Sequence, residues 1–185
     1  MDDSNAEGLL PETFQRWFAT RGWSPRQHQL ELLKNVDEGK SALLIAPTGA
    51  GKTLAGFLPS LVSLSRRTKR KLGQRPSGIH TLYISPLKAL AVDIERNLAK
   101  PVDEIGLPVT IETRTGDTPI HKRQRQKLVP PDILLTTPEQ LALLLSSHDA
   151  GVFFSDLQFV VLDELHSLVT SKRGHLLSLG LARLH

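Results

Sequence analysis

Short apolar runs alternate along the chain with longer stretches in which apolar residues recur every three or four positions. Five segments predict strands, at residues 42–46, 80–85, 110–114, 133–136 and 159–162, and all but 110–114 are mainly apolar. A continuous apolar run between turn residues is typical of a strand that is covered on both faces. Helical patterns follow most of these runs. The alternation predicts an α/β fold with a central, mostly parallel sheet, helices on both faces and ligands at the carboxyl ends of the strands.

Two further helical patterns precede the first run. Phe14, Trp17 and Phe18 lie at helical spacing within residues 11–21, so we expect a short helix that packs its aromatic side on the domain. Ser24 and Pro25 are typical of an N-cap and a first helical residue, and they predict a second helix that Gly39 ends.

The length of the chain limits how many domains it can form. A chain of 185 residues is enough for one domain with a core and too short for two comfortable ones. We therefore expect a helical extension over residues 1–24 and one domain over residues 25–185.

The composition narrows the class of protein. The chain is 39% hydrophobic and 23% charged, as in globular proteins, and its net charge of +4 suits a polyanionic partner as well as many other partners. It contains no cysteine, which excludes disulfides and thiolate zinc sites and favours a cytoplasmic location. The acidic amino terminus is unlike a signal peptide, and no run approaches the roughly 18 apolar residues of a membrane span. No membrane partner is expected.

A glycine-rich segment over residues 46–53 separates the first predicted strand from a helical pattern, which is the position of a phosphate-binding loop. Glycines let backbone N–H groups turn towards phosphate oxygens, and the following helix points its positive end at the same charge. Lys52 would reach the β and γ phosphates of ATP, and Thr53 would bind Mg²⁺. A chance glycine-rich turn is the alternative. The expected nucleotide-binding residues of this loop are Thr48, Gly49, Ala50, Gly51, Lys52 and Thr53.

An acidic sequence, Asp-Glu-Leu-His at residues 163–166, directly follows the last predicted strand. In phosphoryl transfer, one such carboxylate holds Mg²⁺ and a neighbour can orient and deprotonate the attacking water. We expect Asp163 in the first role and Glu164 in the second. Alone, such a pair could simply reflect the preference for acidic residues at a helix start.

With both segments in view, residues 25–185 resemble the superfamily 2 helicases. Residues 163–166 look like the DExH box, and residues 85–90, 115–117 and 136–139 look like motifs Ia, Ib and Ic in the family's order. The sequences of residues 22–27, 86–90, 130–139 and 171–174 resemble those of the large helicase-related (Lhr) group.

The resemblance implies a RecA-like P-loop domain that uses ATP and Mg²⁺. It implies catalytic roles for Lys52, Asp163, Glu164 and His166, with His166 coupling the nucleotide to the nucleic acid. Gln27 resembles the glutamine that reads adenine, although it could be an ordinary exposed helix residue. The implied nucleic-acid contacts, whose alternative is ordinary turn and cap chemistry, are Ser85, Pro86, Lys88, Thr115, Gly116, Thr137 and Pro138.

Three further features have no assigned chemistry. The basic residues of segment 66–78, and Lys122, Arg123, Arg125 and Lys127, could grip a phosphate backbone or could simply be solvated. Arg173 and Gly174 resemble a subfamily feature that could support the DExH box.

The function implied is that of an ATP-dependent DNA helicase that moves along single-stranded DNA in DNA repair, with repair proteins among its partners. The chain stops before a second motor domain, whose arginine fingers can contribute about 10³ to 10⁵ in rate, so we expect weak turnover from this chain alone. The alternatives are a nucleotide- and nucleic-acid-binding module without catalysis, an RNA helicase domain and an unrelated P-loop kinase. The ordered motifs argue against the kinase.

Overall fold

The computed structural model describes residues 8–47, 51–67 and 78–184. The chain divides into two compact units: residues 1–68 with 100–108, and residues 69–99 with 109–185. No helix in the described ranges is both long and apolar enough to cross a membrane.

The first unit is helical. It contains α1 (Glu12–Thr20), α2 (Gln27–Asp37), α3 (Lys52–Arg66) and the last part of α4 (Lys88–Ile105). Phe14, Trp17 and Phe18 are buried on α1, as their spacing predicts. The Trp17 indole donates a hydrogen bond of 2.8 Å to Glu104 in the last turn of α4.

The second helix, α2, begins two residues later than the sequence predicts. Arg26 is its N-cap, and the backbone N–H of Arg26 donates to Oε1 of Gln29 at 2.9 Å. A side chain at the third helical position that satisfies the N-cap N–H fixes the start of a helix there. The predicted cap at Ser24 is therefore not used.

The strand expected over residues 42–46 is not formed. Residues 40–47 have no regular secondary structure, and Leu43 and Ile45 are 71% and 86% exposed. A strand exists only when its N–H and C=O groups pair with a neighbour, and an apolar run cannot specify that neighbour. This part of the prediction is wrong for the structure at hand.

The second unit contains a four-stranded sheet, in which every pairing is parallel and the strand order is β2-β3-β1-β4. The strands are β1 (Thr81–Ile84), β2 (Ile111–Arg114), β3 (Ile133–Thr136) and β4 (Phe159–Leu162). Every residue of the central strands β1 and β3 is buried, as expected for strands covered on both faces. The predicted parallel α/β sheet is confirmed.

The second unit also contains helices. They are α5 (Ile120–Leu128), α6 (Pro138–Leu145), α7 (Ala150–Phe153), α8 (Leu165–Val169) and α9 (Lys172–Leu184), together with the first part of α4. One core joins Leu82, Ile84 and Leu134 of the sheet to Leu141 of α6 and Leu177 of α9. Gly180 brings α9 close to α6, because a Cβ there would lie 3.2 Å from a Leu141 methyl.

Candidate functional site

Four chemically active residues directly follow the four strands of the second unit. They are Ser85 after β1, Thr115 after β2, Thr137 after β3 and Asp163 after β4. The register pairs Ile84 with both Thr136 and Leu162, and Arg114 with Thr136, so the last residues of all four strands are aligned. The carboxyl edge of this sheet therefore presents residues from all four sequence motifs side by side, where parallel sheets bind ligands.

The Asp163 carboxylate is fixed at both oxygens. Oδ2 accepts a hydrogen bond from the Tyr83 hydroxyl at 2.5 Å, and Oδ1 accepts one from the backbone N–H of Glu164 at 2.9 Å. The backbone N–H of Asp163 also donates to the carbonyl of Ile84 at 3.0 Å. These contacts hold the carboxylate at the end of β4 in one orientation.

Tyr83 stays protonated in this contact. It is 2% exposed, and burial raises the pKa of its hydroxyl far above the ordinary value, with the neighbouring Asp163 carboxylate adding to the effect. A neutral phenol can donate its hydrogen to a carboxylate, whereas a phenolate would repel it. Tyr83 therefore acts as a donor to Asp163.

Glu164 has an unusual backbone conformation. Its φ of 48° and ψ of 40° are left-handed, and it is the N-cap of α8. This conformation costs a non-glycine residue about 1–2 kcal/mol, and strained residues of this kind concentrate at functional sites. The side chain is exposed, and Oε2 lies 3.3 Å from Nε2 of His166.

The described part of the phosphate loop lies in the first unit. Gly51 is the N-cap of α3 with φ of 75°, a conformation that favours glycine. Nζ of Lys52 donates to the carbonyl of Ala46 at 2.7 Å, and Thr53 is exposed in the first turn of α3. The predicted contacts at Thr48, Gly49 and Ala50 lie outside the described residues.

Two glutamines of α2 differ in their position relative to this loop. Gln27 is exposed, and its amide donates to Glu31 at 2.7 Å. Gln29 is 3% exposed, and its Nε2 lies 3.3 Å from where a Cβ of Gly51 would stand. Gln29, which the sequence analysis did not select, is therefore the glutamine beside the loop.

A cavity of about 420 Å³ in the second unit brings together several of the predicted nucleic-acid contacts. Pro86, Lys88, Gly116 and Thr137 line it, and so does Arg173. Lys88 pairs with Asp117, with Nζ 3.0 Å from Oδ1. The other predicted contacts, Ser85, Thr115 and Pro138, are buried and do not line the cavity.

Arg173 and Gly174 have structural roles that the sequence did not reveal. Arg173 donates two hydrogen bonds to the carboxylate of Glu139, at the start of α6. A Cβ on Gly174 would lie 2.0 Å from the carbonyl oxygen of Leu168, so only glycine permits this approach of α9 to α8. Gly174 thus allows α9 to pack closely against α8, and Arg173 connects α9 to α6, the helix that begins beside Thr137.

Two basic residues of the predicted cluster at residues 122–127, Arg123 and Arg125, contact other groups of the protein. Arg123 donates to the carbonyls of Thr115, Gly116 and Thr118 at 3.2, 2.5 and 2.7 Å. Arg125 pairs with Glu112, with the nearest atoms 2.6 Å apart. Arg123 therefore stabilises the turn over residues 115–118.

A cluster of basic residues was also predicted in segment 66–78. Arg66 lies 3.8 Å from Asp37. Residues 68–77 of that segment lie outside the described residues.

Each of the two units carries an oxygen donor of the kind that binds magnesium. Mg²⁺ is held in phosphoryl-transfer sites by one or two protein oxygens, with phosphates and water completing its shell. Asp163 offers a fixed carboxylate and Thr53 an exposed hydroxyl. Within the described ranges, no group of three or more histidine, cysteine or acidic residues could hold a metal ion.

Comparison with known proteins identifies close relatives. The family model for the DEAD/DEAH box helicase matches residues 26–185. The chain is 41% identical to the Lhr helicase/probable uracil glycosylase of Mycolicibacterium smegmatis, over 96% of this chain and 12% of that protein. It is 39% identical to the ATP-dependent helicase Lhr-Core of Methanocaldococcus jannaschii, over 99% of this chain and 23% of that protein. The chain thus spans less than a quarter of the length of these relatives.

Solved structures give the same result. The structure of the Mycobacterium smegmatis helicase Lhr bound to ssDNA and AMP-PNP matches with a TM-score of 0.83 and 40% identity, covering 96% of this chain and 23% of that one. The crystal structure of the DUF1998 helicase MrfA matches with a TM-score of 0.80 and 28% identity, covering all of this chain and 27% of that one.

Proposed function

Because this chain belongs to the DEAD/DEAH box helicase family, we propose that it is the first RecA-like motor domain of an Lhr-type helicase that hydrolyses ATP to move along single-stranded DNA. One observation carries the proposal: Ser85, Thr115, Thr137 and Asp163 are aligned at the carboxyl edge of one parallel sheet. Nucleic-acid and nucleotide chemistry can meet at such an edge. The similar Lhr structure, which holds ssDNA and AMP-PNP, supports the same ligands here.

The nucleotide roles are assigned residue by residue. Lys52 would bind the β and γ phosphates, and Thr53 and Asp163 would hold Mg²⁺, which would neutralise charge on the phosphates. Glu164 orients the attacking water and accepts its proton, and His166, whose Nε2 is near Glu164, links that carboxylate to the nucleic-acid side. An adenine-reading glutamine belongs to the same proposal, and Gln27 and Gln29 of α2 are the two candidates.

The nucleic-acid roles belong to the cavity in the second unit. Lys88 supplies a positive charge, Gly116 an accessible backbone and Thr137 a hydroxyl. These groups suit phosphate oxygens, so they would position a strand without reading its bases. Four of the seven contacts predicted from the sequence line this cavity. The other three, Ser85, Thr115 and Pro138, remain part of the proposal as their neighbours in the chain.

The cellular role is a further part of the proposal. Two relatives carry names that join helicase to uracil glycosylase, which supports a place in DNA repair with repair proteins as partners. The proposal also includes the cytoplasmic location that is expected from the cysteine-free composition.

The test is a calorimetric titration of this chain with the magnesium complex of a non-hydrolysable ATP analogue, with and without single-stranded DNA or RNA of the same sequence. Lys52→Ala should abolish binding. Lys40→Ala is the matched control, because Lys40 pairs with Glu38 at the surface of the same unit. Binding lost only in Lys52→Ala supports the phosphate site, and equal binding by both lysine variants would overturn it. Tighter binding of RNA than of DNA would overturn the choice of substrate.

A further inference from the structure

Tyr83 reaches Asp163 because of the strand register. Tyr83 of β1 is paired with Val161 of β4, and Asp163 lies two residues beyond Val161. Successive side chains of a strand point to opposite faces, so Val161 and Asp163 share the face of Tyr83. A diagonal neighbour at this spacing is within reach of an aromatic side chain. The contact of 2.5 Å between the Tyr83 hydroxyl and Oδ2 of Asp163 follows from this arrangement.

We infer that Tyr83 is a positioning residue for the magnesium carboxylate: its hydroxyl fixes Oδ2 of Asp163 while the backbone N–H of Glu164 fixes Oδ1. This inference rests on the proposed function, in which Asp163 holds Mg²⁺. A carboxylate oxygen can accept more than one hydrogen bond, so each oxygen keeps capacity for a metal or a metal-bound water. Neighbours that orient a metal-binding carboxylate in this way raise its affinity for the metal.

The direction of this hydrogen bond is definite. A phenol has only one hydrogen to donate, and a carboxylate oxygen can only accept. The hydrogen of the Tyr83 hydroxyl is therefore committed to Oδ2 of Asp163. This hydrogen bond joins β1 to the end of β4.

A purely structural role for Tyr83 makes a different prediction. The hydroxyl of a residue that is only 2% exposed must find a partner, and a carboxylate would satisfy it even if the carboxylate bound nothing. Removing the hydroxyl would then destabilise the fold without changing its response to magnesium. The described chain offers a matched control in Thr113, which is 6% exposed and whose hydroxyl donates to Glu95 at 2.5 Å in the same unit.

The experiment compares Tyr83→Phe, Thr113→Val and Asp163→Asn with the wild type. Binding of a non-hydrolysable ATP analogue is followed by calorimetry over a series of Mg²⁺ concentrations, and thermal unfolding is recorded without Mg²⁺. We expect Tyr83→Phe to raise the Mg²⁺ concentration for half-maximal binding about 10-fold, within the range found for partners of metal ligands. Thr113→Val should leave that concentration unchanged although it lowers the unfolding temperature as Tyr83→Phe does.

Each other outcome contradicts a specific statement. If Asp163→Asn shifts the Mg²⁺ dependence and Tyr83→Phe behaves like Thr113→Val, the positioning role is overturned and the proposed function stands. If Asp163→Asn leaves the Mg²⁺ dependence unchanged, or the wild type shows none, the magnesium assignment of the proposed function fails and the role of Tyr83 fails with it.

Discussion

Arg173 holds Glu139 by a two-pronged contact: Nε donates to Oε1 at 2.5 Å and Nη2 donates to Oε2 at 3.0 Å. The contact spans 34 residues and joins the start of α9 to the start of α6. Two parallel hydrogen bonds from a guanidinium to a carboxylate fix geometry better than a single contact does. The pair therefore sets the position of the helix that begins beside Thr137.

The Arg173→Ala variant should lose stability in a pH-dependent way. The Arg173 hydrogen bonds lower the pKa of Glu139 from 4.5 to about 2. A lowered carboxyl pKa means that the stabilisation is complete above about pH 4.5 and is lost as the pH falls towards about 2. The side chains are 39% and 46% exposed, so solvent screening limits the effect to about 1 kcal/mol. Urea unfolding should show that the difference in the free energy of unfolding between Arg173→Ala and the wild type becomes smaller as the pH falls from 7 to 3.

Arg183→Ala is the control for this measurement. Arg183 lies on the same helix and donates to the carbonyl of Leu145 at 3.1 Å, a group that does not titrate. Removing the Arg183 side chain should therefore lower the free energy of unfolding by the same amount at each pH. A constant gap between Arg173→Ala and wild type down to pH 3 would contradict the assigned cause.

The preference for adenine should follow Gln29. The sequence directs attention to Gln27, but the structure brings the amide of Gln29 next to Gly51. Loss of the hydrogen bonds between an amide and a base is worth about 10-fold in affinity. Gln29→Ala should therefore reduce the ratio of ATP to GTP affinity about 10-fold, as measured by competition calorimetry. If the ratio of ATP to GTP affinity is unchanged in Gln29→Ala but strongly reduced in Gln27→Ala, Gln27 is the residue that recognises adenine.

Much of this architecture was predictable because local patterns determine it. The runs that became β1, β3 and β4 are mostly apolar, and a residue with a polar or ionisable side chain directly follows each of them. The matching run over residues 42–46 shows the limit of this signal, since Leu43 and Ile45 are largely exposed. Its apolar character indicates a preference for burial, but a partner strand is a long-range property.

The contacts that shape the site could not be predicted in the same way. Tyr83 and Asp163 are separated by 80 residues, and the register that joins them is visible only in the sheet. The one available signal was the single tyrosine of the chain, which carries a phenolic hydroxyl inside a predicted strand. Arg123 was a candidate for phosphate binding by charge alone, whereas its donors are used within the protein.

Arg123 should support nucleic-acid binding without touching phosphate. Its guanidinium accounts for three carbonyl contacts in the turn that carries Gly116. Arg123→Ala should weaken binding of labelled single-stranded DNA while leaving the slope of log affinity against log salt unchanged. Lys88→Ala should instead reduce that slope by about 1, since it removes a phosphate contact. Fluorescence anisotropy over a range of KCl concentrations measures both quantities.

Arg125→Ala provides the reference for Arg123→Ala. It removes an arginine from the same helix whose partner is Glu112, and it should change neither affinity nor slope. If Arg123→Ala lowered the slope of log affinity against log salt as Lys88→Ala does, Arg123 would be a phosphate ligand. Its assigned role in stabilising the turn over residues 115–118 would then be wrong.

Glu164→Gln should separate binding from turnover. The substitution keeps the size and shape of an exposed side chain, so the fold and the affinity for a magnesium–nucleotide complex should be retained. An amide cannot accept the proton of the attacking water, and loss of a general base costs about 10² to 10⁴ in rate. Turnover, measured as phosphate release in a protein that joins this domain to a second motor domain, should fall by that factor. Glu112→Gln removes a carboxylate of the same unit away from residues 163–166 and should leave turnover unchanged. Wild-type turnover in Glu164→Gln would show that another group activates the water, and the left-handed conformation of Glu164 would then have no catalytic explanation.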